Sequence, residues 1–387
     1  MKAASDYLSP RSLVEIDVRI KRQEVPFFLR MAVTKEYKSC ESGNMATQEQ
    51  FARGKPKDVL KLVKDAPVPR PAVDEVLVKV HSAALNPLGP KLMSSVPFPI
   101  ARYPIVPEND FAGVVVDPNG HREWKVGQEV IGSYVQIFDK LRKGQGVLAE
   151  YANISTKFII PKPPNVPFSQ AAGLPIVGMT AYEGMFTRGK LTAGQRVFIN
   201  GGSSSVGAMA IQIAKQQGAT VVTSCSAGKI DFVKDLGADV VLDYQVSPLP
   251  FQLAKQEPFD LIMDCIGTIP VYRNCAKYLK PNRPYIAVGI DLHGLSTLQT
   301  MKAFLSIAAS VALPAFLGGV PRTFGVFTMK YDEKALKEMA DMLDKGILRV
   351  PIDSEYGWEK DDVMKAYDRQ MSARAKGKII IDMQREL

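Results

Sequence analysis

Glycine and serine are concentrated at positions 200–207, where the sequence reads NGGSSSVG. Gly202, Ser204 and Gly207 occupy the three fixed positions of a G-x-G-x-x-G pattern, with serine replacing the middle glycine. In that pattern the first position forms a tight turn, the second lets backbone approach a pyrophosphate, and the third lets a helix pack closely on a strand. Because an apolar stretch precedes the segment and a helical one follows, a dinucleotide-binding loop is favoured over a purely structural turn. The predicted cofactor contacts are Gly202, Ser203, Ser204, Ser205, Val206 and Gly207.

The middle serine and the helix that follows it both suit a bound anion. The Ser204 hydroxyl can donate a hydrogen bond to a phosphate oxygen. A helix that begins near Val206 directs free N–H groups and the positive end of its dipole toward the same place. The pyrophosphate of a dinucleotide is therefore the expected ligand of this loop.

The residues that follow the next strand distinguish between the two nicotinamide dinucleotides. An NAD site places an Asp or Glu about 20 residues after the loop, where it binds the ribose 2′-hydroxyl. Here the segment 222–226 reads VTSCS and has no acid, and Lys229 follows three residues later. Lys229 taken alone is most simply a solvent-facing lysine at a helix start. Together with the missing acid, Ser226 and Lys229 favour the 2′-phosphate of NADP(H).

The elements that must position this loop alternate between strand and helix. Such alternation predicts a parallel sheet with helices on both faces, which is the doubly wound Rossmann arrangement of the α/β class. Ser169 is a predicted N-cap for a helix over 169–174, just before this region. The predicted strands lie at 197–199, 220–224, 240–242, 261–263 and 285–288, and the predicted helices at 206–217 and 229–236.

The region before position 166 has a different pattern. Apolar and polar residues alternate over 75–80, and 111–116 is another run rich in β-branched residues. Prolines recur between positions 67 and 107, which favours short strands joined by rigid loops and predicts a small β-barrel-like domain. After position 327 the pattern predicts two helices and two strands, at 333–345, 352–356, 360–371 and 378–382.

The composition is that of a folded globular protein with two or three domains. The chain has 387 residues, of which 46% are hydrophobic and 23% charged, and this excludes disordered, collagen-like and coiled-coil classes. Four cysteines exclude a disulfide-dense secreted scaffold and favour a reducing compartment. The net charge of +9 is spread without any tract of five basic residues, so we expect a polyanionic small molecule and no nucleic acid as partner.

Two segments bear on location. Residues 1–44 are predicted to be a disordered extension. They lack the apolar core of a signal peptide and contain acids that a mitochondrial transit peptide should lack. The run 303–320 has no charge, but Pro314 and a glycine pair interrupt it, so a buried, dimer-forming or lipid-facing segment is favoured over a span. The expected location is cytoplasmic, with a mitochondrial location or peripheral membrane contact as alternatives.

Several further motifs together resemble a known family. The chain resembles the zinc-free medium-chain dehydrogenases/reductases of the quinone oxidoreductase (zeta-crystallin-like) branch over residues 48–384. Within that branch it is most similar to chloroplast-envelope quinone oxidoreductase homologues and mitochondrial reticulon-interacting oxidoreductases, with fungal trans-acting enoyl reductases as more distant relatives. The motifs are AALNP at 83–87, YPIVPENDFAGVV at 103–115, LAEY at 148–151, AAGLPIVGMTAY at 171–182, LGADVVLDY at 236–244 and GKIII at 377–381.

The resemblance implies a GroES-like catalytic domain at 45–166, a Rossmann domain at 167–326, and a segment 327–387 that returns to the catalytic domain. It places Asn86 beside the nicotinamide, although an Asn-Pro turn explains that residue equally well. Lys91 is a candidate donor to the substrate, with solvent exposure as its simpler interpretation. Gly89 stands where the family often has Asp, so no acid role is transferred. The other implied cofactor contacts are Thr180, Tyr244, Cys265, Gly289, Ile290 and Lys378.

The same resemblance separates the chain from zinc enzymes. The region where zinc-dependent relatives carry Gly-His-Glu reads PEND at 107–110, and the cysteines are not clustered, so no metal is expected. The chemistry expected instead is hydride transfer from NADPH to a quinone or to an α,β-unsaturated carbonyl. A weakly active NADPH-binding sensor or membrane-associated module is the alternative, and a homodimer is compatible with the family.

Overall fold

The structure is a computed structural model that describes residues 43–96, 99–289, 305, 308–309, 311–313, 317 and 319–384. The described strands follow the chain as β1 Asn44–Gln50, β2 Leu60–Pro67, β3 Glu75–Ala84, β4 Asp110–Asp117, β5 Glu129–Ser133, β6 Tyr151–Ser155, β7 Ile159–Pro161, β8 Arg196–Asn200, β9 Thr220–Cys225, β10 Val240–Asp243, β11 Leu261–Asp264, β12 Pro284–Ala287, β13 Thr323–Val326, β14 Ile352–Gly357 and β15 Lys378–Asp382.

The three longest described helices, of 12 residues each, all begin after position 200, and the other described helices have eight residues or fewer. One π-helical segment, Glu183–Arg188, continues the fifth helix, and a 3₁₀ turn, Ala227–Lys229, precedes the seventh. The described α-helices are α1 Pro56–Val59, α2 Leu88–Ser95, α3 Ile137–Lys143, α4 Phe168–Gly173, α5 Pro175–Tyr182, α6 Ser205–Gln216, α7 Ile230–Asp235, α8 Leu249–Leu253, α9 Ile269–Arg273, α10 Glu333–Asp344 and α11 Lys360–Met371.

The second half of the chain forms a six-stranded sheet in the order β10-β9-β8-β11-β12-β13. Every pairing in it is parallel. The chain builds outward from β8 through β9 to β10, then crosses back and builds outward through β11, β12 and β13. The strand order therefore reverses between β8 and β11, and ligands of open α/β sheets bind at such a switch point. The predicted Rossmann arrangement is confirmed.

The first half forms a seven-stranded, largely antiparallel sheet that takes its last two strands from the C-terminus. Its order is β14-β15-β3-β4-β5-β7, with β6 paired to β3. Strand β15 is antiparallel to β3, so that Ile380 pairs with Ala84. Strand β15 is thereby buried between β14 and β3, and it is not an edge strand, which accounts for the apolar pattern of 378–382. The boundaries at 45, 167 and 327 stay predictions.

One hydrophobic core joins the two sheets. Ala112 and Ile131 of the antiparallel sheet belong to the same buried cluster as Val197 and Ile199 of the parallel sheet. Helix α4 packs on β3 and β4, and α5 packs on α6. The cofactor-binding edge of the parallel sheet is therefore held against the antiparallel sheet by packed side chains.

Some local predictions were wrong. Ser169 is not an N-cap, because the Pro167 carbonyl already accepts the N–H of Ala171 and α4 begins one residue earlier. The helix expected over 229–236 begins only at Ile230, because Lys229 has φ −123° and ends a 3₁₀ turn. The strand expected over 75–80 extends to Ala84, since its partners β4 and β15 continue alongside it.

The apolar run 303–320 lies largely outside the described residues. None of the described helices has the length and apolar character needed to cross a bilayer. The predicted extension 1–44 also lies outside them, apart from positions 43 and 44. The predictions made for these two segments stay predictions.

Candidate functional site

The glycine–serine loop lies at the switch point of the parallel sheet. It connects the end of β8 to the start of α6, which is buried along most of its length. Ser204 is the N-cap of this helix: its hydroxyl accepts the N–H of Gly207 at 3.1 Å and donates to the Gly201 carbonyl at 2.7 Å. In the structure this hydroxyl caps the helix, and its predicted contact with a phosphate stays a prediction. The N-terminal N–H groups of α6 remain the predicted anion-binding element.

The loop needs glycines because its backbone lies very close to neighbouring atoms. The glycine that makes the tight turn differs from the predicted one. The tight turn is made by Gly201, whose φ is +80°, and not by Gly202. A Cβ on Gly202 would lie 2.0 Å from the Thr223 hydroxyl of β9, and one on Gly207 would lie 2.3 Å from the Gly201 carbonyl. Any larger side chain at 202 or 207 would therefore force the loop away from the sheet.

Several buried polar side chains, linked to one another by hydrogen bonds, hold this loop in place. Asp264, at the end of β11, accepts the side-chain amide of Asn200 at 2.8 Å. Asn200 in turn accepts the Ser224 hydroxyl at 2.7 Å, and that hydroxyl accepts the N–H of Gly201 at 2.9 Å. Asp264 also accepts three backbone N–H groups from residues 266–268. The ends of β8, β9 and β11 are thereby locked together. Sequence reasoning missed these residues, although each is a polar residue at the end of an apolar strand.

The end of the site that is predicted to hold the ribose carries several basic residues. Ser226 follows β9, and its carbonyl accepts the N–H of Lys229. The Lys229 ammonium donates to the Ala375 carbonyl at 3.2 Å, and burial, followed by the nearby Lys376 and Arg369, lowers its pKa. In the described part of the chain Lys229 forms no ion pair.

Sequence reasoning also missed a contribution from the far end of the chain. Lys376, in the loop before β15, donates to the Gly228 carbonyl at 3.2 Å. The next residue, Gly377, accepts the hydroxyl of Ser205 at 2.8 Å. The loop at 375–377 therefore lies across the start of α6 and the end of β9. The cluster ARAKGK at 373–378 was its available signal.

The remaining predicted cofactor contacts are spread along the same edge. Ser203 is buried in the loop, Val206 packs on the core, and Thr180 is buried in α5. Cys265 follows β11, and burial raises the pKa of its thiol. Tyr244 follows β10 and is half exposed. Gly289 lines a small cavity with Asp264 and Thr268. Ile290 lies outside the described residues.

The second part of the site is a buried polar cluster in the antiparallel sheet. Asn86 and Lys378, both predicted to lie near the nicotinamide, are brought together: the Lys378 ammonium donates to Asn86 Oδ1 at 2.9 Å. It also forms an ion pair with Asp110 at 3.2 Å, and Asp110 accepts the Asn86 amide at 3.0 Å. The other Asp110 oxygen accepts the N–H of Ile176 at the start of α5. Asp110 therefore connects the cluster to the helix that carries Thr180.

Two further titratable groups border this cluster. Burial raises the pKa of the Glu108 carboxyl, and the Lys140 ammonium opposes that effect. Burial also lowers the pKa of Lys140 to about 8. Lys91, the second candidate donor, is exposed on α2 and lies outside the buried cluster. The structure thus places Asn86, and not Lys91, within the polar network.

The fold and the site together define a class of protein. A parallel sheet with a phosphate-binding loop at its switch point, joined to a second sheet with a buried polar cluster, forms an oxidoreductase that uses a nicotinamide dinucleotide. Residues 72–164 match the alcohol dehydrogenase GroES-like domain, and residues 236–381 match the zinc-binding dehydrogenase model. The chain belongs to the medium-chain dehydrogenase/reductase superfamily, as the motifs predicted.

Individual relatives refine this assignment. The chain is 35% identical over 333 residues to a trans-enoyl reductase of Aspergillus terreus, covering 83% of this chain and 91% of that protein. It is 28% identical to a chloroplast envelope quinone oxidoreductase homologue of Arabidopsis thaliana, covering 82% and 92%. The quinone oxidoreductase of Coxiella burnetii has the same fold, with a TM-score of 0.74, 26% identity, and coverage of 88% and 100%. The fungal enzyme is thus more similar than the plant one, which reverses the expected order.

The zinc in the name of one matching model does not fit the residues present. Among the described residues, no three or more His, Cys, Asp or Glu side chains are grouped so as to hold a metal ion. In the segment 107–110, the Glu108 carboxylate is used by Tyr367 and by the Asn86 backbone. We therefore derive no step through a metal.

Proposed function

We propose that this protein is an NADPH-dependent reductase that transfers hydride, without zinc, to a quinone or to an activated carbon–carbon double bond. The observation that carries the choice of cofactor is the ribose end of the site, where Lys229 and Lys376 lie and β9 ends without an acid. A 2′-phosphate would receive charge-assisted hydrogen bonds there, whereas the 2′-hydroxyl of NADH would find no carboxylate acceptor at the end of β9. The names of the trans-enoyl reductase and quinone oxidoreductase relatives support the class of acceptor.

The residues of the two sheets have different roles: those of the parallel sheet bind the dinucleotide, and those of the antiparallel sheet orient its nicotinamide end. When bound, NADPH supplies the hydride. The N–H groups at the start of α6 bind the pyrophosphate, and Lys229 and Lys376 bind the 2′-phosphate. The cluster of Asn86, Asp110 and Lys378 forms a rigid wall on the antiparallel sheet, against which the nicotinamide end is oriented. Catalysis by this chain is therefore chiefly orientation of the two reactants.

An acceptor panel tests the proposal. Purified protein is mixed with NADPH or NADH and with enals, enones and quinones, and oxidation of the dinucleotide is followed by its absorbance. We expect turnover with at least one acceptor and a clear preference for NADPH. Binding of NADPH without turnover of any acceptor would favour the alternative, a sensor module. Equal rates with NADH would reject the proposed choice of cofactor.

We also propose that the protein forms homodimers and is cytoplasmic. Strands β10 and β13 are the two edges of the described parallel sheet, and an edge strand such as β13 can pair with a strand of a second copy. The few cysteines support a reducing compartment. Light scattering tests the dimer, and cell fractionation against mitochondrial markers tests the location. Flotation with liposomes would reveal membrane contact through 303–320 and would count against a purely cytoplasmic enzyme.

A further inference from the structure

The backbone of Glu108 has a conformation that residues other than glycine rarely adopt. Its φ is +61°, and its side chain is fully buried. Such a conformation persists only where the surroundings fix it. Here the Lys140 ammonium donates to the Glu108 carbonyl at 2.5 Å and to Asn109 Oδ1 at 2.7 Å. A buried lysine therefore holds the turn that directs a carboxylate into the protein.

That carboxylate lies against the turn formed by Asn86 and Gly89, where the Gly89 N–H donates to the Asn86 carbonyl at 3.0 Å. Glu108 Oε2 accepts the N–H of Asn86 at 3.2 Å, and Oε1 accepts the hydroxyl of Tyr367 at 2.8 Å. A Cβ on Gly89 would lie 2.1 Å from Oε1. The carboxylate therefore occupies the space that a side chain at position 89 would need.

Two carboxylates, those of Glu108 and Asp110, accept hydrogen bonds from the backbone and from the side chain of Asn86, respectively. Glu108 accepts its backbone N–H, and Asp110 accepts its side-chain amide at 3.0 Å. The remaining side-chain oxygen of Asn86 accepts from Lys378. Without Glu108 the Asn86 side chain would keep its partners, but the backbone of the turn would lose the acceptor of the Asn86 N–H. The contribution of Glu108 is therefore to the position of the turn.

We propose that Glu108 is a positioning residue for hydride transfer, and that residues 89 and 108 form a pair in which one side chain with a hydrogen-bond-accepting oxygen must fill the space beneath the Asn86 turn. This inference rests on the proposed reductase function, because that function places the nicotinamide beside Asn86. A misplacement of about 1 Å near reacting atoms can cost about 100-fold in rate. The phosphate loop lies on the other sheet, so affinity for NADPH is expected to be unaffected.

The test compares four variants with the wild type: Glu108→Gln, Glu108→Gly, Gly89→Asp, and the exchange variant that combines the last two. For each we measure the single-turnover rate of NADPH oxidation with an acceptor that the wild type reduces, the Kd for NADPH, and thermal unfolding. Glu108→Gly should slow hydride transfer by about 10- to 100-fold with Kd unchanged. Glu108→Gln should retain most of the rate, because its amide can accept from Asn86 and donate to the Tyr367 oxygen.

The exchange variant is the decisive one. Gly89→Asp alone should be unstable and slow, because two side chains then compete for one space. Combined with Glu108→Gly, the Asp carboxylate can enter the vacated space, and both stability and rate should recover relative to Gly89→Asp. A folded Glu108→Gly protein with the wild-type rate would overturn the proposal. So would a Gln variant as slow as the Gly variant, or an exchange variant that recovers neither property.

Two outcomes distinguish a failure of this inference from a failure of the proposed function. A wild type that reduces no acceptor refutes the proposed function, and the unfolding temperatures of the four variants then decide the pairing of 89 and 108. If Glu108→Gly fails to fold, recovery of folding in the exchange variant supports the pair, and its absence overturns it.

Discussion

Replacing Lys229 by methionine should weaken the binding of NADPH and leave the binding of NADH unchanged. The substitution keeps the length and apolar stem of the side chain and removes only its ammonium. In the structure that ammonium donates to a single carbonyl, of Ala375, while Lys376 and Arg369 lie near enough to lower its pKa. It is thus a partly buried cation with two basic residues nearby and one acid, Asp353, which is itself paired with Arg369, so that a phosphate can supply additional negative charge.

The size of the effect follows from one charge-assisted hydrogen bond. Such a bond contributes about 1.5–3 kcal/mol, which corresponds to about 10- to 150-fold in Kd. Because Lys229 is only partly buried, screening by solvent should bring the result toward the lower end of that range. The difference between wild type and variant should shrink as salt is added, whereas the Kd for NADH should change little.

Isothermal titration calorimetry with both dinucleotides is the direct assay. Lys234→Met is the matched control, since Lys234 is exposed on the same helix, α7, and lies outside the site. Equal weakening of NADPH and NADH by Lys229→Met would show that the lysine acts on the fold and not on the 2′-phosphate. An unchanged Kd for NADPH would refute the assignment of this residue altogether.

Two further predictions concern buried charges. Asp264→Asn should lower the free energy of unfolding by about 2–6 kcal/mol, because the amide nitrogen that replaces Oδ2 cannot accept, so that the Thr268 N–H and the Tyr285 hydroxyl would each lose an acceptor at about 1–3 kcal/mol. Urea denaturation measures this against the exposed control Asp231→Asn, and equal stability of the two variants would contradict it. The Lys140 ammonium has a pKa of about 8 in the folded protein and 10.5 when unfolded, so between these values the unfolded chain binds the extra proton and stability rises with pH. The stability difference between wild type and Lys140→Met should rise by up to about 1.4 kcal/mol per pH unit in that window, and parallel pH curves would disprove it.

The local sequence pattern predicted elements well where the element is fixed by its own residues. The helix over 360–371 and the strand over 378–382 have the predicted bounds, because their apolar spacing and flanking turns are unambiguous. Prediction was wrong at Ser169, where the preceding proline already provides the first helical acceptor. It also placed the tight turn of the phosphate loop at Gly202, whereas Gly201 has the positive φ, because the sequence does not show which of two adjacent glycines adopts that conformation.

The chain by itself determined the α/β class, the dinucleotide loop at 200–207 and the lack of an acid at the end of β9, because each depends on residues that are neighbours in sequence. Only the tertiary structure decided which polar residues meet around Asn86, and that Lys376 reaches the ribose end. Lys378 and Asp110 are 268 positions apart, and they meet because β15 inserts beside β3. The local sequence pattern does not predict which distant strands pair, since that pairing depends on burial and hydrogen bonding between them. The same holds for Glu108, whose carboxylate has room only because position 89, on another element, carries no side chain.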